Sequence, residues 1–141
     1  MKKMKNSYII LIVLAVFAVF IYLSYSTPSL EGTSKNDIWR VTYKKYKESD
    51  GAMGWKVAVE QKNKKKVNVK KIVFLEDHKK LSEQTEFYSG KDIDGTVYSL
   101  HPFSYPDLYL GSAPKKNHIY YVTITWEDNK GKTYMDKVKL E

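Results

Sequence analysis

The chain contains no cysteine. That excludes disulfides, Cys-based metal sites and thiol nucleophiles, so stability must come from a hydrophobic core. Arginine is nearly missing too: of 24 basic residues, only Arg40 is an arginine. Proteins that read bases and phosphates favour the planar guanidinium fork, so nucleic acid is not an expected partner. No acidic residue precedes Glu31. Beyond residue 26 there are no helix caps and no apolar stripes at a 3.6-residue period, which excludes a helical domain. The Gly-x-Ser-x-Gly elbow of a serine hydrolase is missing as well.

What remains is a chain of 141 residues with a formal charge of +8. Without its first 26 residues it has the length of one domain and is too short for two. The charge is carried by lysine. Lys2, Lys3 and Lys5 open the chain, and a dense cluster comprises Lys62, Lys64, Lys65, Lys66, Lys70 and Lys71.

Tyr8 to Leu23 (YIILIVLAVFAVFIYL) is uncharged, and extending it to Tyr25 gives about 27 Å of helix, close to a thin hydrocarbon core. Tyr8, Tyr22 and Tyr25 mark its ends, where amphipathic rings favour an interface. These features predict a basic cytoplasmic segment over 1–7 and a single transmembrane helix, a signal anchor, over 8–25. Under the positive-inside rule the N-terminus stays in the cytoplasm and the C-terminal domain lies outside the cell membrane. The rival expectation is a secreted protein cleaved near Ser26, because Ser24-Tyr25-Ser26 places small residues where a signal peptidase reads them. A lipid-modified cysteine is excluded. Residues 26–36 are small and polar and read as a linker.

The apolar period changes to two within 37–141. Trp39, Val41 and Tyr43 share a face, and Trp55, Val57 and Val59 form a second strand after the turn at Glu48–Gly54. Val67 and Val69 are out of phase with Ile72 and Phe74, which predicts a bulge or break near Lys70-Lys71. Asp77–Gln84 reads as a helical turn or loop. His101–Asn117 holds Pro102, Pro106 and Pro114 and is expected not to form a central strand. Tyr120, Val122, Ile124 and Trp126 then alternate cleanly, with Tyr134–Leu140 as the return strand. Six or seven strands at this spacing predict an antiparallel, immunoglobulin-like β-sandwich, with a small open barrel as the second reading.

The order Glu31, Trp39-Arg-Val41-Thr-Tyr43, Gly54-Trp55-Lys-Val57 and Tyr121-Val-Thr-Ile124-Thr-Trp126 resembles small membrane-anchored or lipid-anchored ectodomains of Gram-positive bacteria. The likeness covers residues 31–141. It implies an extracytoplasmic β-sandwich and carries over no functional residue.

Two surfaces are candidates for binding. Tyr98, Phe103, Tyr105 and Tyr109 lie in or beside the proline-bearing stretch. Tyrosine supplies contact area at small entropic cost, although a crossover that lids the core needs the same residues. Lys64, Lys65 and Lys66 can meet an anionic wall polymer, although a solvated hairpin tip has the same composition. Trp39, Trp55 and Trp126 fall on inward faces and read as core. No two of His78, His101 and His118 have metal-ligand spacing. Asp92-Ile-Asp94-Gly95 lacks the remaining ligands of a calcium loop. Gly131-Lys132-Thr133 lacks the leading glycine of a phosphate loop. The expected function is therefore a membrane-tethered extracytoplasmic binding or structural module, without catalysis, metal or cofactor. Its partner would be a protein at the membrane surface or an anionic wall polymer. A cell-envelope hydrolase using His101 with Asp92 or Asp94 is the catalytic alternative.

Overall fold

A computed structural model describes residues 2–25, 27–48 and 50–141, with helix side chains described from 6 to 22. The helix α1 spans Lys2–Tyr25, and every side chain from Asn6 to Tyr22 is exposed. Among the described residues, no helix is long and apolar enough to cross a membrane. The expected single-pass transmembrane helix, its role as a signal anchor and the membrane location derived from it are corrected accordingly. The physical reason is length. The run from Tyr8 to Leu23 rises about 24 Å, short of a hydrocarbon core of about 30 Å, and Lys2, Lys3 and Lys5 precede it. The proposed cleavage point at Ser26 lies outside the described residues.

Two antiparallel sheets follow, in agreement with the all-β part of the expectation. Their strands are β1 (Leu30–Thr33), β2 (Trp39–Lys47), β3 (Met53–Gln61), β4 (Asn68–Glu76), β5 (Lys79–Gln84), β6 (Gly90–Lys91), β7 (Val97–Leu100), β8 (Phe103–Gly111), β9 (Tyr120–Glu127) and β10 (Thr133–Leu140). One sheet has the order β1-β2-β3-β8-β7-β6 and the other β10-β9-β4-β5. The alternating residues of β2, β3, β4 and β9 point between the sheets. Trp39, Val41, Val57, Val59, Ile72, Phe74, Val122 and Ile124 are all buried there. Tyr43 sits among them with ring contacts to Trp55, Phe74, Tyr109 and Tyr120. Burial pushes its phenol pKa upward.

Three expectations about local structure change. The stretch read as a linker contributes β1, which pairs with β2 from Leu30↔Tyr43 to Thr33↔Arg40. Asp77–Gln84, read as a turn or loop, supplies β5. His101–Asn117 contains β8, which lies between β3 and β7 despite its proline. The register explains this exception. Val57 pairs with Tyr109 and Val59 with Tyr105, so three residues of β8 face the single Ala58 of β3. Pro106 sits in that bulge, where no ladder N–H is required. Pro102 lies in the β7–β8 turn, after a cis His101–Pro102 bond. The phase slip near Lys70-Lys71 coincides with a register shift between Val69 and Lys71 against β9.

Candidate functional site

Strand β3 belongs to one sheet and β4 to the other, so residues 62–67 cross between the sheets at one end of the sandwich. The crossing carries Lys64, Lys65 and Lys66, all exposed. Gln61 holds it in place from below. The Gln61 side chain is buried in phase with Trp55, Val57 and Val59. Its amide nitrogen donates to Lys65 O and to Asn63 Oδ1, each at 2.7 Å. Its oxygen accepts the Phe103 N–H at 2.9 Å. Asn63 Oδ1 also accepts the Lys65 N–H at 3.3 Å. A lysine run that composition alone would leave as a floppy tip is thereby pinned to the core.

The β9–β10 turn approaches the same place. Asp128 shapes that turn, with Oδ1 accepting the N–H groups of Lys130 and Lys132. These backbone bonds hold its carboxyl below the usual range. Lys130 thereby joins Lys65, Lys66, Ile38, Trp126 and Tyr134 around a cleft of about 590 Å³. Trp126 and Tyr134 stack beside it, with centroids 4.6 Å apart and planes at 20°. Lys62 pairs with Asp37, and Lys70 with Glu127 at 3.6 Å. Among the described residues, Lys64, Lys65, Lys66 and Lys130 form no salt bridge. The result is a concave surface with unpaired cations at its rim and an aromatic stack on its wall.

The aromatic candidates are placed differently. Tyr98 and Phe103 are buried, and Tyr105 and Tyr109 are half-buried against the core. Tyr105 packs on Phe87 and Tyr98, and Tyr109 on Tyr43 and Phe74. These four residues thus form part of the packing and do not make an open loop surface. Pro106 and Asp107 of the β8 bulge, with Leu110 further along the strand, instead line a groove of about 360 Å³ shared with Tyr46, Lys56 and Asp94. Asp107 Oδ2 accepts the Tyr98 hydroxyl at 2.6 Å, while its buried Oδ1 has no partner among the described residues. Burial, and then this bond to a carboxylate, push the Tyr98 pKa upward.

The catalytic alternative is not assembled. His101 follows β7, whereas Asp94 precedes it and Asp92 N donates to Thr96 O at 2.8 Å, so both aspartates lie at the end of that strand opposite His101. Asp94 Oδ1 accepts the Thr96 N–H at 2.9 Å and serves its own turn. A third grouping was invisible in the spacing. His118 Nδ1 lies 2.7 Å from Asp77 Oδ2 and 3.2 Å from Glu76 Oε1, bringing together residues about forty positions apart. Among the described residues, this is the one group of three side chains able to hold a metal ion. Gln61 could have been found from sequence, since it is a polar residue in the inward phase of β3. His118 carried no such signal. No protein-family model, curated protein or solved structure matches this chain.

Proposed function

We propose that the β-domain is a non-catalytic binding module for an anionic, polyol- or sugar-bearing polymer, and that the lysine cleft is its binding surface. The observation that carries this reading is the pinning of the lysine crossing by Gln61 next to the Trp126–Tyr134 stack. Cations on a fixed backbone lose less entropy on binding than cations on a mobile tip. Three lysines without an ion-pair partner among the described residues, Lys65, Lys66 and Lys130, line the cleft beside the single acid Asp128 and favour a chain of negative charges. Half-buried Tyr134, backed by buried Trp126 and with Lys132 Nζ 5.1 Å from its ring centroid, offers a small apolar contact to the carbon chain of a sugar or polyol, and lysine serves as a point charge where no bidentate base reading is needed.

The test is binding of the full chain to poly(glycerol phosphate) by interferometry. Affinity should fall at least ~10-fold between about 0.1 M and about 1 M salt, as the screening length shortens from about 10 Å to about 3 Å. Lys65→Glu with Lys66→Glu should cost a further ~10-fold, equivalent to ~1.4 kcal/mol. Lys44→Glu with Lys45→Glu changes the net charge equally on exposed positions of β2 and should have a much smaller effect. Equal losses from both pairs would reduce the interaction to diffuse attraction and sink the cleft assignment. A preference for a single-stranded oligonucleotide of matched charge would replace the polymer reading.

A further inference from the structure

We propose that Glu76, Asp77 and His118 bind a divalent transition-metal ion of the zinc class. The site is independent of the lysine cleft. Strand β4 begins beside the cleft and ends at Glu76, so the two sites are separated by roughly 26 Å along that strand.

The geometry suits such an ion. Three donor atoms, one from each residue, lie within 4.8 Å of one another. Around a tetrahedral zinc ion with bonds of about 2.0–2.2 Å, neighbouring donors stand about 3.4 Å apart. The His118–Glu76 distance of 3.2 Å already matches, and the His118–Asp77 distance of 2.7 Å has to open by less than ~1 Å. Asp77 Oδ1 accepts the Ile119 N–H at 3.0 Å, which orients the carboxylate and leaves Oδ2 facing the imidazole. Outer hydrogen bonds of this kind commonly orient metal ligands. Glu76 is mostly covered, whereas His118 and Asp77 are open enough for an ion and a water to enter. Calcium and magnesium prefer all-oxygen shells, so the imidazole selects against them.

Lys115 Nζ, 3.4 Å from Glu76 Oε1, is the competing cation. Its side chain is 64% exposed and can turn into solvent when an ion arrives. Metal uptake exchanges a hydrogen-bonded contact between His118 and two carboxylates for coordination by all three. It thereby ties the β4–β5 turn to the segment before β9.

The experiment titrates the full chain with zinc chloride by calorimetry, with cobalt(II) absorption as a second readout. One equivalent of zinc should bind, raise the melting temperature and be removed by a chelator. Cobalt should give the visible bands of a tetrahedral or five-coordinate mixed N/O site. His118→Ala and Asp77→Asn should each weaken binding at least ~10-fold, whereas His78→Ala with His101→Ala should leave it unchanged. If His118→Ala does not fold, Asp77→Asn and His118→Gln decide. Absence of binding below about 1 mM zinc would overturn the proposal and leave a purely structural hydrogen-bond cluster. So would binding that survives the site variants or disappears with His78 and His101. Polymer binding plays no part in this measurement, so the two proposals can fail separately.

Discussion

One carboxylate oxygen, Asp136 Oδ2, accepts three donors from different parts of the chain. They are the Trp39 indole N–H at 2.9 Å, the Trp126 indole N–H at 2.8 Å and the Asn36 amide at 2.9 Å. Trp39 is in one sheet and Asp136 in the other, so the contact fixes the two layers against each other. Removing the acceptor leaves two largely buried indole N–H groups unpaired, and each such group costs about 1–3 kcal/mol. Asp136→Ala should therefore destabilise the domain by ~2–4 kcal/mol in urea unfolding, with Asp136→Asn losing less because it keeps one carbonyl acceptor. A loss under ~1 kcal/mol would mean that water satisfies the indoles equally well. The tryptophans were legible as core from their phase in the sequence. Asp136 shares the inward phase of Val138 and Leu140, and a polar residue in that phase is the trace such a latch leaves. Which donors it would meet was not legible, because they come from residues 36, 39 and 126.

At the scale of elements, the chain closes one side of the sandwich with its first and last strands. Glu31 N donates to Glu141 O and Glu141 N to Glu31 O, each at 3.0 Å, which ties the edge of β1 to the end of β10. Gly32 makes the approach feasible. A Cβ there would collide with the Lys139 carbonyl oxygen and with Val138 Cγ1. Gly32→Ala should cost ~1–3 kcal/mol, measured as a lower urea midpoint, since overpacking against a backbone atom cannot be relieved by a rotamer change. An unchanged midpoint would show that β1 can lift from β10 at little cost. The β8 bulge illustrates the limit of reading strands from composition. Proline argues against a central strand only where the ladder is regular, and regularity depends on the partner strand. Alternation located β2, β3, β9 and β10, because each has one buried face. Strands β5 and β6 have mostly exposed or half-exposed residues and leave little alternation to see.

For the whole molecule, response to acid follows from how its turns are made. Asp94 and Asp128 are both held below the usual carboxylate range, in each case chiefly by backbone N–H groups of their own turns. A carboxyl whose folded pKa lies below its unfolded value, about 3.9, stabilises the fold above that value. The contribution is lost as pH falls through the folded pKa. Melting temperature should thus be nearly level above about pH 5 and decline below about pH 4. Asp94→Asn with Asp128→Asn should make that acid decline shallower. An unchanged slope would place the acid-sensitive groups elsewhere. Charge is also distributed unevenly over the molecule. The Lys64–Lys66 run lies at one end of β4, and the Glu76–Asp77–His118 group lies at the other.

The expected membrane-spanning helix is not borne out among the described residues, whereas the sequence by itself determined the all-β character of the domain, the inward faces of the main strands and the concentration of lysine. These are local properties: a period of two, a turn residue or a charge run is complete within a few positions. Tertiary structure alone decided three things. It moved the aromatic stretch from a surface loop into β8, because a bulge absorbed Pro106. It turned a lysine run into one wall of a cleft, because Gln61 pins the crossing and the β9–β10 turn comes alongside. It brought His118 to Glu76 and Asp77, because β4 and β9 pair in antiparallel register. Each depends on which strands become neighbours, and that follows from the packing of two sheets rather than from any short window of residues.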